Sequence, residues 1–349
     1  VPELDPHNLE AYRHSQTALS RAFRTVLQNS RTHSERKARS GGHDMTSRAQ
    51  VRKYQLMWRK SVRSHIVGKV ELDKARLQHD LEALAAVPRV EEEYDEFSSG
   101  YWKNLSLWNS SGEADDTMYR DIQGSAKPTA HAAKAPYLDE LIHTVFDSKI
   151  VKMARARNLV DAMVIPHRDF IELNKDNDQY FRTFMVLEDN GSAFHSDDDT
   201  VIHMRPGEIW YLDAAAPHSA VNFSSDSRQA LCVDFAFEGS FTEDQIFADK
   251  SFYRPDLEPE IVVRKPFTTD HRDKLVQLGG IIDNDNFKDI LFLMSRVHYR
   301  YDVPAAETYE WFVEACRLAD DTTLTAKAEG VRDYMIGQRA LGERLVAAA

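Results

Sequence analysis

Residues 179–212 read QYFRTFMVLEDNGSAFHSDDDTVIHMRPGEIWYL. Three short runs rich in β-branched and aromatic residues, Phe181–Leu187, Thr200–Met204 and Glu208–Leu212, are interrupted by Asn190-Gly191 and Pro206-Gly207. These dipeptides supply the positive φ and the missing donor that end a strand. Short strands between turn signals predict an antiparallel sandwich or barrel. The pattern extends outward to Met163–Ile165 and, past Pro217, to Ala230–Phe237. Upstream, Ile66–Leu72 alternates, and Asp73 is placed to cap a helix carrying Ala75, Leu77, Leu81 and Leu84 that stops at Pro88. No strand–helix alternation occurs here, which argues against a parallel doubly wound sheet.

From Pro266 the periodicity becomes helical. Thr268, Thr269 or Asp270 can cap a helix reaching Leu278, and Phe287–Val297, Thr308–Ala319 and Leu324–Leu345 repeat apolar residues at three- and four-residue steps. Three regions result: a basic, helix-prone N-terminal extension (1–63), a mainly β core (64–265) and an α-helical C-terminal region (266–349). Within the extension, Leu19, Phe23, Val26 and Leu27 suggest one amphipathic helix before the Ser40-Gly41-Gly42 break.

The net charge of −12 is unevenly spread: residues 1–65 carry 13 Lys/Arg against 5 Asp/Glu, and the remainder 31 against 51. An acidic body is a poor nucleic-acid partner. The basic arm lacks the aromatic–basic interleaving of a nucleic-acid surface and reads as an extension or docking helix. Cys232 and Cys316 form no CxxC or Cys/His cluster, which fits a reducing, cytoplasmic setting. No run of apolar residues is long enough for a membrane span, and the acidic, polar start is unlike a secretory signal.

The chemistry is carried by Ile165-Pro166-His167-Arg168-Asp169-Phe170. On an extended strand, i and i+2 share a face, so His167 and Asp169 can converge on one ion. A third ligand must come from elsewhere, and Ala216-Pro217-His218-Ser219 offers His218. Two histidines and one carboxylate on one face of an octahedron leave three positions open, as in non-haem iron(II) oxygenases. Ten residues on sits Arg228. If it lies on a strand adjacent to that of His218, its guanidinium can grip the distal carboxylate of 2-oxoglutarate. Two other H-x-D tripeptides compete. His271-Arg272-Asp273 opens a helix, where i and i+2 diverge by about 200°. His195-Ser196-Asp197 stands in an acidic, turn-like stretch with less strict alternation.

Ile165–Asp169, Gln179–Asp189 and Asp198–Trp210, together with His218–Phe237 and Asn286–Tyr301, resemble the bacterial L-proline 3-hydroxylase family, related to the aspartyl/asparaginyl hydroxylase clan. The resemblance runs from about residue 62 to the end. It implies a double-stranded β-helix (jelly-roll) core with a helical C-terminal region. It also implies Fe(II), 2-oxoglutarate and O₂ as cofactor and cosubstrates, with hydroxylation of a free cyclic imino acid and release of succinate and CO₂. Residues 1–61 have no counterpart in compact family members. Phe184 occupies the histidine slot of the clan's Arg-x-His strand.

A zwitterionic imino acid needs a cation for its carboxylate and an acceptor for its nitrogen. By resemblance, Arg182 and His195 are candidate carboxylate holders, although Arg182 can alternatively bridge to Glu188 and His195 can be a loop residue. Arg155 and Arg157 share one face of a strand, and one can point inward. Asp95, with Tyr94 and Trp102, can form a lid wall and nitrogen acceptor, while Trp102 and Trp108 also suit an ordinary core. Trp210 and His203 face the site or pack behind it. L-Pipecolate differs from proline by one methylene, worth about 1–3 kcal/mol of discrimination. The rival reading is a non-catalytic jelly-roll binding module. The expected partner is a small molecule rather than nucleic acid or membrane, and an oligomer is possible.

Overall fold

A computed structural model describes residues 64–90, 93–120, 122–169, 179–197, 199–214 and 216–337. The helix expected around Leu19–Leu27, the side chain of Tyr94 and the far end of the helix expected to reach Leu345 lie outside the described residues.

β1 (His65–Lys69) leads into α1 (Lys74–Ala85), where the Asp73 carboxylate accepts from the N–H groups of Ala75 and Arg76. That cap satisfies donors the first turn would otherwise leave open, and is worth about 1 kcal/mol. α1 buries Leu77, Leu81 and Leu84 as one stripe. There follow β2 (Ser98–Asn109), β3 (Lys127–Pro128), α2 (Pro136–Val145) and the long β4 (Val151–His167). Then come β5 (Tyr180–Val186), β6 (Ala193–Asp197), β7 (Thr200–His203), β8 (Glu208–Tyr211), β9 (His218–Asn222), β10 (Arg228–Ala236) and β11 (Glu260–Ile261).

These strands form one antiparallel sheet in the order β1-β8-β5-β10-β4-β9-β6-β7-β11, with β2 branching from β4 and β3 pairing with β2. β2 runs along one edge of β4 for most of its length, so β10 and β9 take successive stretches of the other. The changeover falls at Asp161, which has φ 41° and donates its N–H to the Ser224 carbonyl. Opposite it, Gly100 has φ 77°, and a Cβ there would collide with the Asp161 carbonyl oxygen. This bulge divides the sheet into two wings that curl as a jelly roll.

β10 is buried along its whole length, and its alternation assigns the two faces. Leu231, Val233 and Phe235 join a core with α1 and α2, whereas Ala230 and Cys232 join an inner cluster with Phe184, Val186, Trp210 and Leu212. Arg228 and Asp234 share the parity of that inner face. The C-terminal elements are β12 (Lys265–Pro266), α3 (Thr269–Val276), α4 (Phe287–Ser295), β13 (Tyr301–Asp302), α5 (Glu307–Leu318) and α6 (Thr322–Ile336). β12 and β13 pair in parallel, and the helices pack with Leu159, Met163, Ile165 and Val221 in a second core. Thr268 caps α3 through its hydroxyl. Among the described residues no helix is long and apolar enough to cross a membrane.

Three expectations need correction. The segment expected as a lid wall is largely β2, a paired strand. His195–Asp197 belongs to β6, paired on both sides, rather than to a turn. α2 was not anticipated, although Tyr137, Leu138, Leu141, Ile142 and Val145 form its buried stripe behind a first-turn proline.

A candidate metal centre at the mouth of the sheet

His167 ends β4 and His218 begins β9, and the ladder pairs them directly, with ring centroids 4.3 Å apart. Asp169 lies two residues beyond the strand, where its N–H donates to the Ala214 carbonyl. Two C-terminal helices brace this segment. Tyr309 of α5 donates its hydroxyl to the Pro166 carbonyl, and the Arg168 N–H donates to the Met335 carbonyl of α6.

Within the triad, one donor atom from each of His167, Asp169 and His218 lies within 4.8 Å of the others. Nδ1 of His167 sits 2.8 Å from the Ile165 carbonyl, and Nδ1 of His218 is 3.0 Å from the Ala216 carbonyl. Each Nδ1 therefore carries the proton, leaving the Nε2 lone pair for a ligand bond. Nε2 of His167 is 3.2 Å, and Nε2 of His218 3.9 Å, from Oδ1 of Asp169. Burial, then the neighbouring His167, draws His218 down to about 4, so it is neutral at neutral pH. Burial raises Asp169, but Arg182 and the two histidines outweigh it and hold the carboxylate well below its ordinary range. Two imidazoles whose Nε2 atoms face the same point and an ionised carboxylate form a donor set that fits a divalent iron ion.

The triad opens into a cleft enclosing about 500 Å³ including its mouth. Arg228 lines the same cleft, its guanidinium 4.9 Å above the Phe184 ring. Its strand is not adjacent to that of His218, the arrangement on which the sequence reading had made this role conditional. Both strands instead follow one another along β4, and the curl brings their side chains together.

Candidate substrate residues divide. Trp102, Arg182 and His195 line the cleft, and so does Arg157, which stacks 5.6 Å from Trp102. His195 is buried, its Nε2 has no hydrogen-bond partner among the described residues, and its ring stacks 6.1 Å from His218. Burial, then His218, holds it far below its ordinary value, so it is a neutral hydrogen-bonding group rather than a cation. Asp95 does not line the cleft, and its carboxylate pairs with Arg89. Arg155 turns to Asp234 at 2.7 Å, while Arg182 meets Asp169 and Asp234 rather than Glu188, which accepts from Ser227.

Trp108 donates to Asp139 within the core, and Trp210 donates to Glu208 beside its register partner Phe184. His203 contacts Glu260 and the Asn190 carbonyl. None of these three lines the cleft. The rejected His271 and Asp273 lie on helix α3. Asp197 accepts from the Ser64 N–H. The residue that sequence reasoning missed is Asp234. Its signal was a lone acid in the apolar run Ala230–Phe237, at the parity of Arg228.

Comparison with known proteins gives two family models covering most of the described chain: aspartyl/asparaginyl β-hydroxylase over residues 71–237 and the L-proline 3-hydroxylase C-terminal region over residues 243–343. Two Streptomyces proteins named L-proline cis-3-hydroxylase 1 and 2 are each 58 % identical over 284 residues, covering 81 % of this chain and 98 % of theirs. An L-proline cis-4-hydroxylase of Rhizobium meliloti is 31 % identical over 286 residues, covering 80 % of this chain and 98 % of its own.

Proposed function

The chain belongs to the L-proline 3-hydroxylase family, and from that membership we propose that it hydroxylates free L-proline at C3. It is a non-haem iron(II), 2-oxoglutarate-dependent dioxygenase, and an iron ion held by His167, Asp169 and His218 would supply the O₂ activation and C–H oxidation that accompany decarboxylation of 2-oxoglutarate to succinate. The observation that carries the reading is the convergence of the Nε2 atoms of His167 and His218 on Oδ1 of Asp169 within the cleft that Arg228 lines.

In this reading His167, Asp169 and His218 hold the metal, and Arg228 grips the far carboxylate of 2-oxoglutarate in a bidentate pair. Phe184 and Leu212 line the cleft and exclude water. Arg157 lines the cleft beside Trp102, whereas Arg155 does not and turns to Asp234, so we assign the imino-acid carboxylate to Arg157, with His195 as a neutral hydrogen-bonding neighbour. Higher identity to the cis-3 relatives than to the cis-4 relative favours C3.

The test is product analysis by NMR after incubation with Fe(II), 2-oxoglutarate, O₂ and either L-proline or L-pipecolate. The expected result is 3-hydroxyproline matched mole for mole by succinate, with slower turnover of pipecolate. Equal, uncoupled succinate release with both would exclude both as native substrates.

A further inference from the structure

Asp234 is fully buried on β10, directly opposite Arg182 of β5 in the ladder. Its Oδ1 accepts from Arg182 Nε at 2.6 Å and from the Tyr180 hydroxyl, and its Oδ2 accepts from Arg155 Nη2 at 2.7 Å. Arg182 in turn donates from Nη1 to Oδ2 of Asp169. Oδ1 of that same carboxylate faces the two histidines. A chain of charge-assisted hydrogen bonds thus runs from the inside of the sheet to the metal centre.

We propose that Asp234 is a positioning residue for the metal centre: it anchors Arg182, which turns the Asp169 carboxylate so that one oxygen alone faces the histidines. The inference rests on the triad being the metal site. The physical need is specific. Asp169 lies beyond the end of β4, where no ladder holds its side chain. A carboxylate free to rotate could present both oxygens to an ion and occupy a position the cosubstrates require. Binding Oδ2 to a guanidinium removes that freedom, and the guanidinium is itself held only if its Nε is also engaged. Asp234, Asp169, Arg182 and Arg155 carry two charges of each sign, so the buried quartet is neutral overall. Outer partners of this kind set ligand orientation, and their loss commonly weakens metal binding 10- to 100-fold.

The test is Co(II) binding to the full chain without 2-oxoglutarate or substrate, followed by titration and by the cobalt visible spectrum. Asp234→Asn and Arg182→Lys are compared with Asp80→Asn, which alters a buried carboxylate of α1 that accepts from the Leu138 N–H. Asp234→Asn and Arg182→Lys are expected to bind Co(II) at least tenfold more weakly and to shift the visible bands, whereas Asp80→Asn changes neither. Should Asp234→Asn fail to fold, Arg182→Lys, which keeps the charge but cannot span both carboxylates, decides the matter. Affinity within twofold of the parent with an unchanged spectrum in Arg182→Lys overturns the proposal. Failure of proline turnover in the parent chain would count against the substrate assignment and leave this comparison intact.

Discussion

Arg228 carries its charge under an energetic burden. Burial, and to a lesser degree Arg157, draws its guanidinium down to about 10, so it stays protonated at neutral pH, and it forms no ion pair among the described residues. An uncompensated buried cation costs several kcal/mol, which a dicarboxylate ligand offsets on binding. Arg228→Met is therefore expected to separate stability from binding. The ligand-free protein should melt no lower than the parent, while the KM for 2-oxoglutarate rises about 100-fold, equivalent to about 2.7 kcal/mol. Calorimetry and initial rates check the two halves, and a lower melting point with an unchanged KM contradicts the assignment. At this scale the convergence of His167, Asp169 and His218 in one cleft with Arg228 was accessible to sequence reasoning, because strand parity and spacing restrict which side chains can meet. The engagement of Arg182 was not. It depends on which residue of β10 faces it across a ladder, and register is set by turns and bulges distributed over the whole sheet.

The bulge between β2 and β4 places the end of β4 that carries His167 beside β9. Gly100→Ala would force a Cβ against the Asp161 carbonyl at a positive φ, so it should cost well over about 1 kcal/mol and lower the melting temperature by several degrees. Cobalt affinity should fall with it. Gly124 shares a positive φ of 78° but has open space around its Cβ, so Gly124→Ala should cost less. Equal losses at both sites would show backbone strain alone at work and remove the collision as a cause. The strands Phe181–Leu187, Glu208–Leu212 and Ala230–Phe237 were legible because their apolar alternation faces two cores at once. β4 was read at Met163–Ile165 and at Arg155 and Arg157, but its full length was not, since Lys152, Arg155 and Arg157 interrupt the apolar pattern of a strand whose polar side chains serve internal partners. β6 was disguised likewise by the acidic residues after His195, one of which accepts a buried backbone N–H.

Across the molecule, buried histidines that stay neutral shape the response to acid. His298 is fully buried behind α4, with Nδ1 2.9 Å from the Ser295 carbonyl and Nε2 without a hydrogen-bond partner among the described residues. Burial, then Arg264, draws it down to about 3, while His218 in the metal centre is drawn to about 4. Both folded values lie below the free value near 6.5, so the unfolded chain binds more protons between the two limits. The stability they contribute is present above about pH 6.5 and is lost as pH falls toward 4 and then 3. Asp234, held at about 2 because Arg182 and Arg155 outweigh its burial, adds a later loss below about pH 4. At pH 5 each histidine should cost about 2 kcal/mol relative to neutral pH. Urea unfolding of metal-free protein at pH 7.5 and pH 5 measures the sum, and His298→Gln, which cannot take up the proton, should lose about 2 kcal/mol less between the two conditions than the parent. An identical pH dependence in that variant would mean that the cost of charging the buried imidazole is relieved by local opening, leaving the cleft histidines His195 and His218 to account for the acid sensitivity.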